Sequence, residues 1–258
     1  MKRAKTPLAL ALLLSSLLLV AAGSGCVLED GLSPRTTEAI PDDPRVAAVV
    51  ERLQPSVVGI KATTSKGVLL QEIGLGTGVI MQTDGLVVTN NHVITRGGES
   101  GGNQPVDRID VELPNGDTRR ATVVGRFPPL DLAFLDIEEI DLVPAAFLTN
   151  LDEVQEGDFV VAIGKAPTLA QPVTVGQVAA ILRNVRSPSL PGLTTLISSS
   201  APLSQGNSGG PLADAQGRVI GINVAESLTQ GGSGESRGGF SIPAPIVLDA
   251  LKQVLERQ

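Results

Sequence analysis

Three side-chain types that acyl transfer requires stand far apart in this sequence: a serine in a glycine-rich turn, a lone histidine, and a carboxylate opening an apolar run. The serine is Ser208, within Gly206-Asn207-Ser208-Gly209-Gly210-Pro211-Leu212. A serine hydroxyl is a weak nucleophile until a base takes its proton and donors receive the oxyanion. The surrounding glycines let the backbone bend so that the amides of Gly206 and Ser208 can converge on one spot. Their missing Cβ also leaves room for a substrate. The same composition describes an ordinary Gly-Ser surface turn, so the motif needs partners.

The chain holds one histidine, His92, in Leu86-Val87-Val88-Thr89-Asn90-Asn91-His92-Val93-Ile94. Histidine is the usual general base near neutral pH and contributes roughly 10²–10⁴-fold in rate. A lone histidine is more often a satisfied structural residue, but this one falls just past an apolar strand, at a loop edge where catalytic groups are placed. The third member must be a carboxylate that fixes the imidazole tautomer. Several acids qualify by composition. Asp131 stands out because it opens Leu132-Ala133-Phe134-Leu135, which would hold its carboxylate at a buried strand edge. The plainer reading is that Asp131 only begins that strand, as Asp136 ends it.

The bulk of the 258-residue chain limits what else it does. Lys2, Arg3 and Lys5 precede the apolar run Leu8 to Ala22, and Gly23, Ser24 and Gly25 lead to Cys26. That is the layout of an export signal over residues 1–25, and its apolar run is shorter than the roughly 20 residues of a spanning helix. Without the signal, 17 basic residues face 27 acidic ones, a net charge of −10 with His92 neutral. Nucleic acid is excluded as a partner, since no Lys and Arg cluster is present to neutralise phosphates. A single cysteine forms no internal disulfide, so the exported domain depends on its core. With no Trp or Tyr and five Phe, that core is built from Val, Ile, Leu and Ala.

Cys26 has two readings. A lone cysteine closing an export signal resembles the lipidation site of bacterial lipoproteins, although Gly23 stands where those usually have a larger apolar residue. The other is cleavage after Gly23, leaving a free thiol. Lipidation is preferred, because a lone exposed thiol is otherwise reactive and unused.

Residues 26–43 read as a polar tether. Asp43-Pro44 is a helix start, Val46, Val49, Val50 and Leu53 recur at helical spacing, and Pro55 ends the segment. Strands follow at Val57 to Ile60, Val79 to Met81, Leu86 to Thr89, Ile109 to Leu113, Ala121 to Val124 and Leu132 to Leu135. A second series covers Phe159 to Ile163, Val173 to Ile181, Thr194 to Ser198 and Val219 to Val224. Turn signals lie at Asp84-Gly85, Asn115-Gly116 and Gln216-Gly217. Two sets of short strands joined near Asp141 to Leu151 predict an all-β chain of two β-barrels, over 44–145 and 146–258. Ile246, Val247, Ala250, Leu251, Val254 and Leu255 then give a closing helix its apolar face.

The stretches GTGVIMQTDGLVVTNNHVI, DLAFLDI, GDFVVAIG, SQGNSGGPL and GGFSIPAPIV resemble the protease domain of the HtrA/DegP family, from about Val46 onward. The resemblance implies a chymotrypsin/trypsin-like fold of two six-stranded antiparallel β-barrels with a short N-terminal helix and a C-terminal helix. It also implies a serine endopeptidase without metal or cofactor, acting on unfolded or misfolded exported polypeptides in the periplasm or at the cell surface. The order His, Asp, Ser is that of chymotrypsin-like proteases. Carried over, His92 is the base, Asp131 the orienter and Ser208 the nucleophile, with Gly206 and Ser208 supplying the oxyanion-hole amides. Relatives often form trimers, so a homotrimer is implied, with lipid on Cys26 as a membrane tether.

The sequence also departs from the family. The relatives carry PDZ domains after the protease domain, and only the protease domain is expected here. Ser200 replaces an Asp, Ser204-Gln205 replaces Asn-Pro, and Lys165-Ala166-Pro167 interrupts an Asn-Pro-Phe-Gly pattern. Pro202 occupies the place of the trypsin specificity Asp, so with Leu203 and Val224 nearby a small apolar residue is expected before the scissile bond. These altered loops also leave a rival reading: a catalytically silent protease fold that binds client proteins. Labelling of Ser208 by a fluorophosphonate separates the two.

Overall fold

The computed structural model describes residues 43–66, 69–96, 104–139, 141–166, 169, 172–186, 191–224 and 239–256. The expected export signal over 1–25, Cys26 and all but the last residue of the expected tether at 26–43 lie outside the described residues. Helix α1 (Pro44–Leu53) opens the described chain. Asp43 caps it, its carboxylate accepting the Arg45 N–H at 2.8 Å, and Pro44 occupies the first turn, where no N–H is needed. Val46, Val49, Val50 and Leu53 form the buried face that the spacing predicted.

The first barrel follows. Its strands are β1 (Val57–Lys66), β2 (Leu69–Ile80), β3 (Leu86–Asn90), β6 (Arg108–Glu112), β7 (Thr118–Phe127) and β8 (Leu132–Asp136), closed in the order β1-β2-β3-β8-β7-β6. Between β3 and β6, strands β4 (Thr95–Arg96) and β5 (Gln104–Pro105) form a small separate ribbon. The second barrel comprises β9 (Phe159–Ile163), β10 (Val173–Arg183), β11 (Thr195–Ser199), β12 (Pro211–Asp214), β13 (Val219–Val224) and β14 (Gly239–Pro243), closed as β10-β11-β14-β13-β12-β9. Every pairing within the barrels is antiparallel, and closure leaves neither sheet with a bare edge.

Strand β8 shows why an uninterrupted apolar run is needed. Ala133 and Leu135 point into the first barrel with Val58, Ile60, Val87 and Val111. Leu132 and Phe134 point the other way, into a cluster shared with residues of the second barrel and both helices. Both faces of the strand are buried, so no polar position is tolerated. The same division holds in β9, where Val160 and Ala162 fill the second barrel while Val161 and Ile163 join the shared cluster. Burying each large side chain contributes roughly 1.5–3 kcal/mol, and with so few aromatics many aliphatics must share the task.

Helix α2 (Ala244–Leu255) packs on β13 and β14 of the second barrel and on β7 and β8 of the first. Its Val254 lies against Gly125 of β7 so closely that a Cβ there would come within 2.4 Å of Val254 Cγ2. None of the described helices is long and apolar enough to cross a membrane.

Candidate active site

The β3–β8 register brings His92 and Asp131 together. Asn90 pairs with Leu132, so one step beyond the strand ends Asn91 faces Asp131, and the Asn91 N–H donates to the Asp131 carbonyl at 3.1 Å. A single 3₁₀ turn, His92–Ile94, then carries the imidazole off the strand end. Asp131 itself is left-handed, with φ +52°, at the end of a second 3₁₀ turn, Pro128–Leu130. It is therefore a turn residue just before β8. Aspartate tolerates this conformation better than most residues, and it aims the side chain back at His92.

The Asp131 carboxylate is 4 % exposed and engages His92 through both oxygens. Oδ1 accepts the His92 main-chain N–H at 2.9 Å, and Oδ2 lies 2.7 Å from Nδ1. A buried carboxylate is tolerated when such bonds offset its lost hydration. With Nδ1 carrying the proton toward Oδ2, the neutral ring has Nε2 as its acceptor. Two asparagines brace this pair. Asn90 Nδ2 donates to the Asp131 carbonyl at 3.1 Å, and Asn91 Oδ1 accepts from Arg126 Nε at 2.8 Å. Burial pushes the Arg126 pKa down from its ordinary value.

Ser208 reaches the same seam from the second barrel. It is 3 % exposed and sits in the turn leading into β12. Its carbonyl accepts the Thr77 N–H of β2, in the first barrel, at 2.9 Å. Gly76 lies against both partners: a Cβ there would be 2.7 Å from Val93 Cγ1, beside His92, and 3.2 Å from the Ser208 carbonyl. Gly209, with φ +82°, allows the closest approach, since a Cβ would fall 2.1 Å from the Thr77 carbonyl and 2.2 Å from Thr89 Oγ1. The turn therefore seats directly on the backbone of β2 and on the end of β3.

Within the second barrel the turn is held from behind. Asn223 of β13 accepts the Gly209 N–H on its carbonyl at 3.0 Å, and its N–H donates to Gly210 at 2.8 Å. Its side-chain amide donates to the Pro211 carbonyl, and Ser241 Oγ donates to Asn223 Oδ1, both at 2.9 Å. Ahead of the serine, Asn207 Oδ1 accepts from both the main chain and the hydroxyl of Ser204, at 3.0 and 3.1 Å. The Ser204-Gln205 departure thus supplies a clasp of its own. Gly206 has φ +101°, open to glycine alone at little cost.

The three expected specificity residues differ in burial. Pro202 is exposed, Leu203 is half-buried over Gly239, and Val224 is buried in the shared core at 1 % exposure. Asn90, Asn91, Arg126, Thr77 and Asn223 carry the site's support without having been singled out by sequence. Among the described residues no group of three or more His, Cys, Asp or Glu side chains is placed to hold a metal ion.

The trypsin-like peptidase domain family matches residues 76–222, a span that contains His92, Asp131 and Ser208. The chain belongs to the trypsin-like peptidase family. Within it the domain is HtrA-like. It is 38% identical over 216 residues to the serine protease HTRA4 of Mus musculus, covering 83% of this chain and 41% of that protein. It is 30% identical over 234 residues to the periplasmic pH-dependent serine endoprotease DegQ of Escherichia coli, covering 83% of this chain and 49% of DegQ. Among solved structures, the HtrA-type protease AlgW with a tripeptide superposes with a TM-score of 0.67 at 35% identity, covering 82% of this chain and 64% of that one. The chain thus spans under half the length of these curated relatives.

Proposed function

We propose that this HtrA-like domain is a serine endopeptidase using Ser208 as nucleophile, His92 as base and Asp131 as its orienting carboxylate. The observation that carries the proposal is the two-point grip of Asp131 on His92, 2.9 Å to the main chain and 2.7 Å to Nδ1, beside the bonded turn of Ser208. In the reaction Ser208 Oγ bonds to the scissile carbonyl carbon while its proton passes to His92 Nε2. The Asp131 carboxylate stabilises the resulting imidazolium. The carbonyl oxygen becomes an oxyanion received by the Gly206 and Ser208 N–H groups. The C–N bond breaks as His92 returns the proton to the leaving amine, and water then hydrolyses the ester by the same steps. No step draws on a metal or cofactor. Residues 44–145 supply the base and the acid, and 146–258 the nucleophile.

The substrates are exported polypeptides in unfolded or misfolded form, in keeping with the periplasmic relative in E. coli. Pro202, Leu203 and Val224 shape the pocket before the scissile bond, and Leu203 packed on Gly239 supports a short pocket for Val or Ala. The chain acts outside the cytoplasm as a homotrimer, tethered by lipid on Cys26. Preference for Arg or Lys in a peptide-library digest would refute the pocket assignment, and a mature chain beginning with unmodified Ser24 would refute lipidation.

Activity itself is tested with a fluorophosphonate and a casein digest on the wild type and Ser208→Ala. The wild type is expected to be labelled and to digest casein, and the variant to do neither. A wild type that stays unlabelled under all conditions overturns the proposal.

A further inference from the structure

We propose that Thr77 is a positioning residue for the oxyanion pocket, acting from the opposite barrel through its side-chain hydroxyl; this rests on the peptidase reading above. Thr77 lies in β2 of the first barrel and is fully buried; its carbonyl accepts the Thr89 hydroxyl within that barrel, yet its N–H and its own hydroxyl bond to the second barrel. Its N–H donates to the Ser208 carbonyl at 2.9 Å, and its hydroxyl donates to the Gly206 carbonyl at 2.6 Å. The hydroxyl's direction is not free to choose. Its oxygen accepts the main-chain N–H of Lys165 at 2.8 Å, so its one proton is directed to Gly206. Lys165 is itself moored to the first barrel, Nζ donating to the Leu113 carbonyl at 2.5 Å.

The effect is clearest peptide plane by peptide plane. In the plane joining 206 and 207, the carbonyl is held by the Thr77 hydroxyl and the Asn207 N–H by the Ser204 carbonyl at 3.0 Å. In the plane joining 208 and 209, the carbonyl is held by the Thr77 N–H and the Gly209 N–H by the Asn223 carbonyl. Alternate planes are thus fixed at both ends, and Thr77 supplies the carbonyl partner for both. Of the proposed oxyanion donors, the Ser208 N–H belongs to the plane between these two, and the Gly206 N–H to the plane just before the first. A trans peptide is rigid, so the Ser208 donor is set by fixed planes on both sides and the Gly206 donor by the fixed plane that follows it. Gly206 sits at φ +101°, where glycine has little intrinsic preference, so an external bond is needed to hold one orientation. Preorganised donors are what make an oxyanion hole effective.

Two near-isosteric replacements separate the hydroxyl from the packing around it. Thr77→Val keeps the shape and loses the bond to Gly206, whereas Thr77→Ser keeps the bond and loses the methyl group that packs toward Gly210. The readouts are the second-order rate constant for fluorophosphonate labelling of Ser208, and kcat and KM for a fluorescent casein. Thr77→Val is expected to lower kcat and the labelling rate together by roughly 10- to 100-fold, less than the 10²–10³-fold of deleting an oxyanion donor, with KM within about twofold of wild type. Thr77→Ser is expected to stay within about threefold of wild type. If Thr77→Val does not fold, Thr77→Ala set against Thr77→Ser isolates the same hydroxyl. A valine variant as fast as wild type, or a serine variant as slow as the valine or alanine variant, overturns the proposal. An unlabelled wild type would instead overturn the peptidase reading beneath it.

Discussion

Asp131 grips His92 at two points, the main-chain N–H with Oδ1 and the imidazole Nδ1 with Oδ2. One carboxylate therefore fixes both where the ring begins and which way it faces. The second contact needs an acceptor, and that requirement gives the first prediction.

In Asp131→Asn the remaining oxygen still receives the His92 N–H, and the amide NH₂ faces Nδ1. Nδ1 must then be unprotonated, which places the ring proton on Nε2 and removes the base. The expected result is a drop of about 10⁴-fold in kcat on casein. The thermal midpoint should change little, since the main-chain bond survives. A variant retaining a tenth of wild-type kcat would contradict this geometry.

The two barrels are stapled by Val254 of α2 resting on Gly125 of β7. Gly125→Ala puts a methyl group 2.4 Å from Val254 Cγ2 and is expected to cost about 1–3 kcal/mol by urea unfolding. Val254→Ala costs a similar roughly 1–3 kcal/mol by leaving a cavity. Combined, the small residue on the helix relieves the crowding on the strand, so the double variant should be more stable than the sum of the two losses by about 1 kcal/mol. Strict additivity would show that the helix does not seat there.

Behind the serine turn, Ser241 and Asn223 are both fully buried. Ser241→Ala leaves Asn223 Oδ1 without its donor, at an expected cost of about 1–3 kcal/mol. Because Asn223 also holds Gly209, Gly210 and Pro211, the loss should appear in the labelling rate of Ser208 as well as in urea unfolding. Loss of stability with unchanged labelling would separate Asn223 from the site.

Asp43 has its pKa held below the ordinary value, first by the Arg45 side chain and then by the Arg45 N–H that it caps. A depressed folded pKa means that its contribution is present above the unfolded value, ~3.9, and is lost as pH falls through the lower folded value. Asp43→Asn keeps a neutral cap that does not titrate. The difference in thermal midpoint between wild type and variant should therefore be constant near pH 6 and shift against the wild type as pH falls below about 4. A difference that is flat down to pH 2 would refute the linkage.

Much of the fold was legible because it is local. Turn pairs such as Asn115-Gly116 fall where strands reverse, and the two-sided burial of β8 is written in Leu132 to Leu135. Strands β12 and β14 were not legible as strands. Pro211–Asp214 follows directly on the glycine turn and runs from proline to aspartate, and Gly239–Pro243 begins with glycine and ends with proline, so poor strand formers bound both and barrel closure makes them strands. At the site, residue type and order make His92, Asp131 and Ser208 candidates, the family resemblance assigns their roles, and the structure brings His92 and Asp131 into contact. The apolar run places Asp131 at the edge of β8, as found, but its left-handed backbone is not legible, because a single φ is set by the 3₁₀ turn behind it. Thr77 was invisible for a different reason. The partners of its hydroxyl lie 88 and 129 residues away, and no local pattern encodes such a contact.

The contact beneath the serine is closest at two residues without a side chain of their own: Gly76 of β2, against the Ser208 carbonyl, and Gly209, against the Thr77 carbonyl and the Thr89 hydroxyl. A joint of that kind has no filler whose bulk evolution or an engineer can trim. It is either seated or open, and any graded adjustment of turnover must be made at its periphery, in the loops, where side chains return.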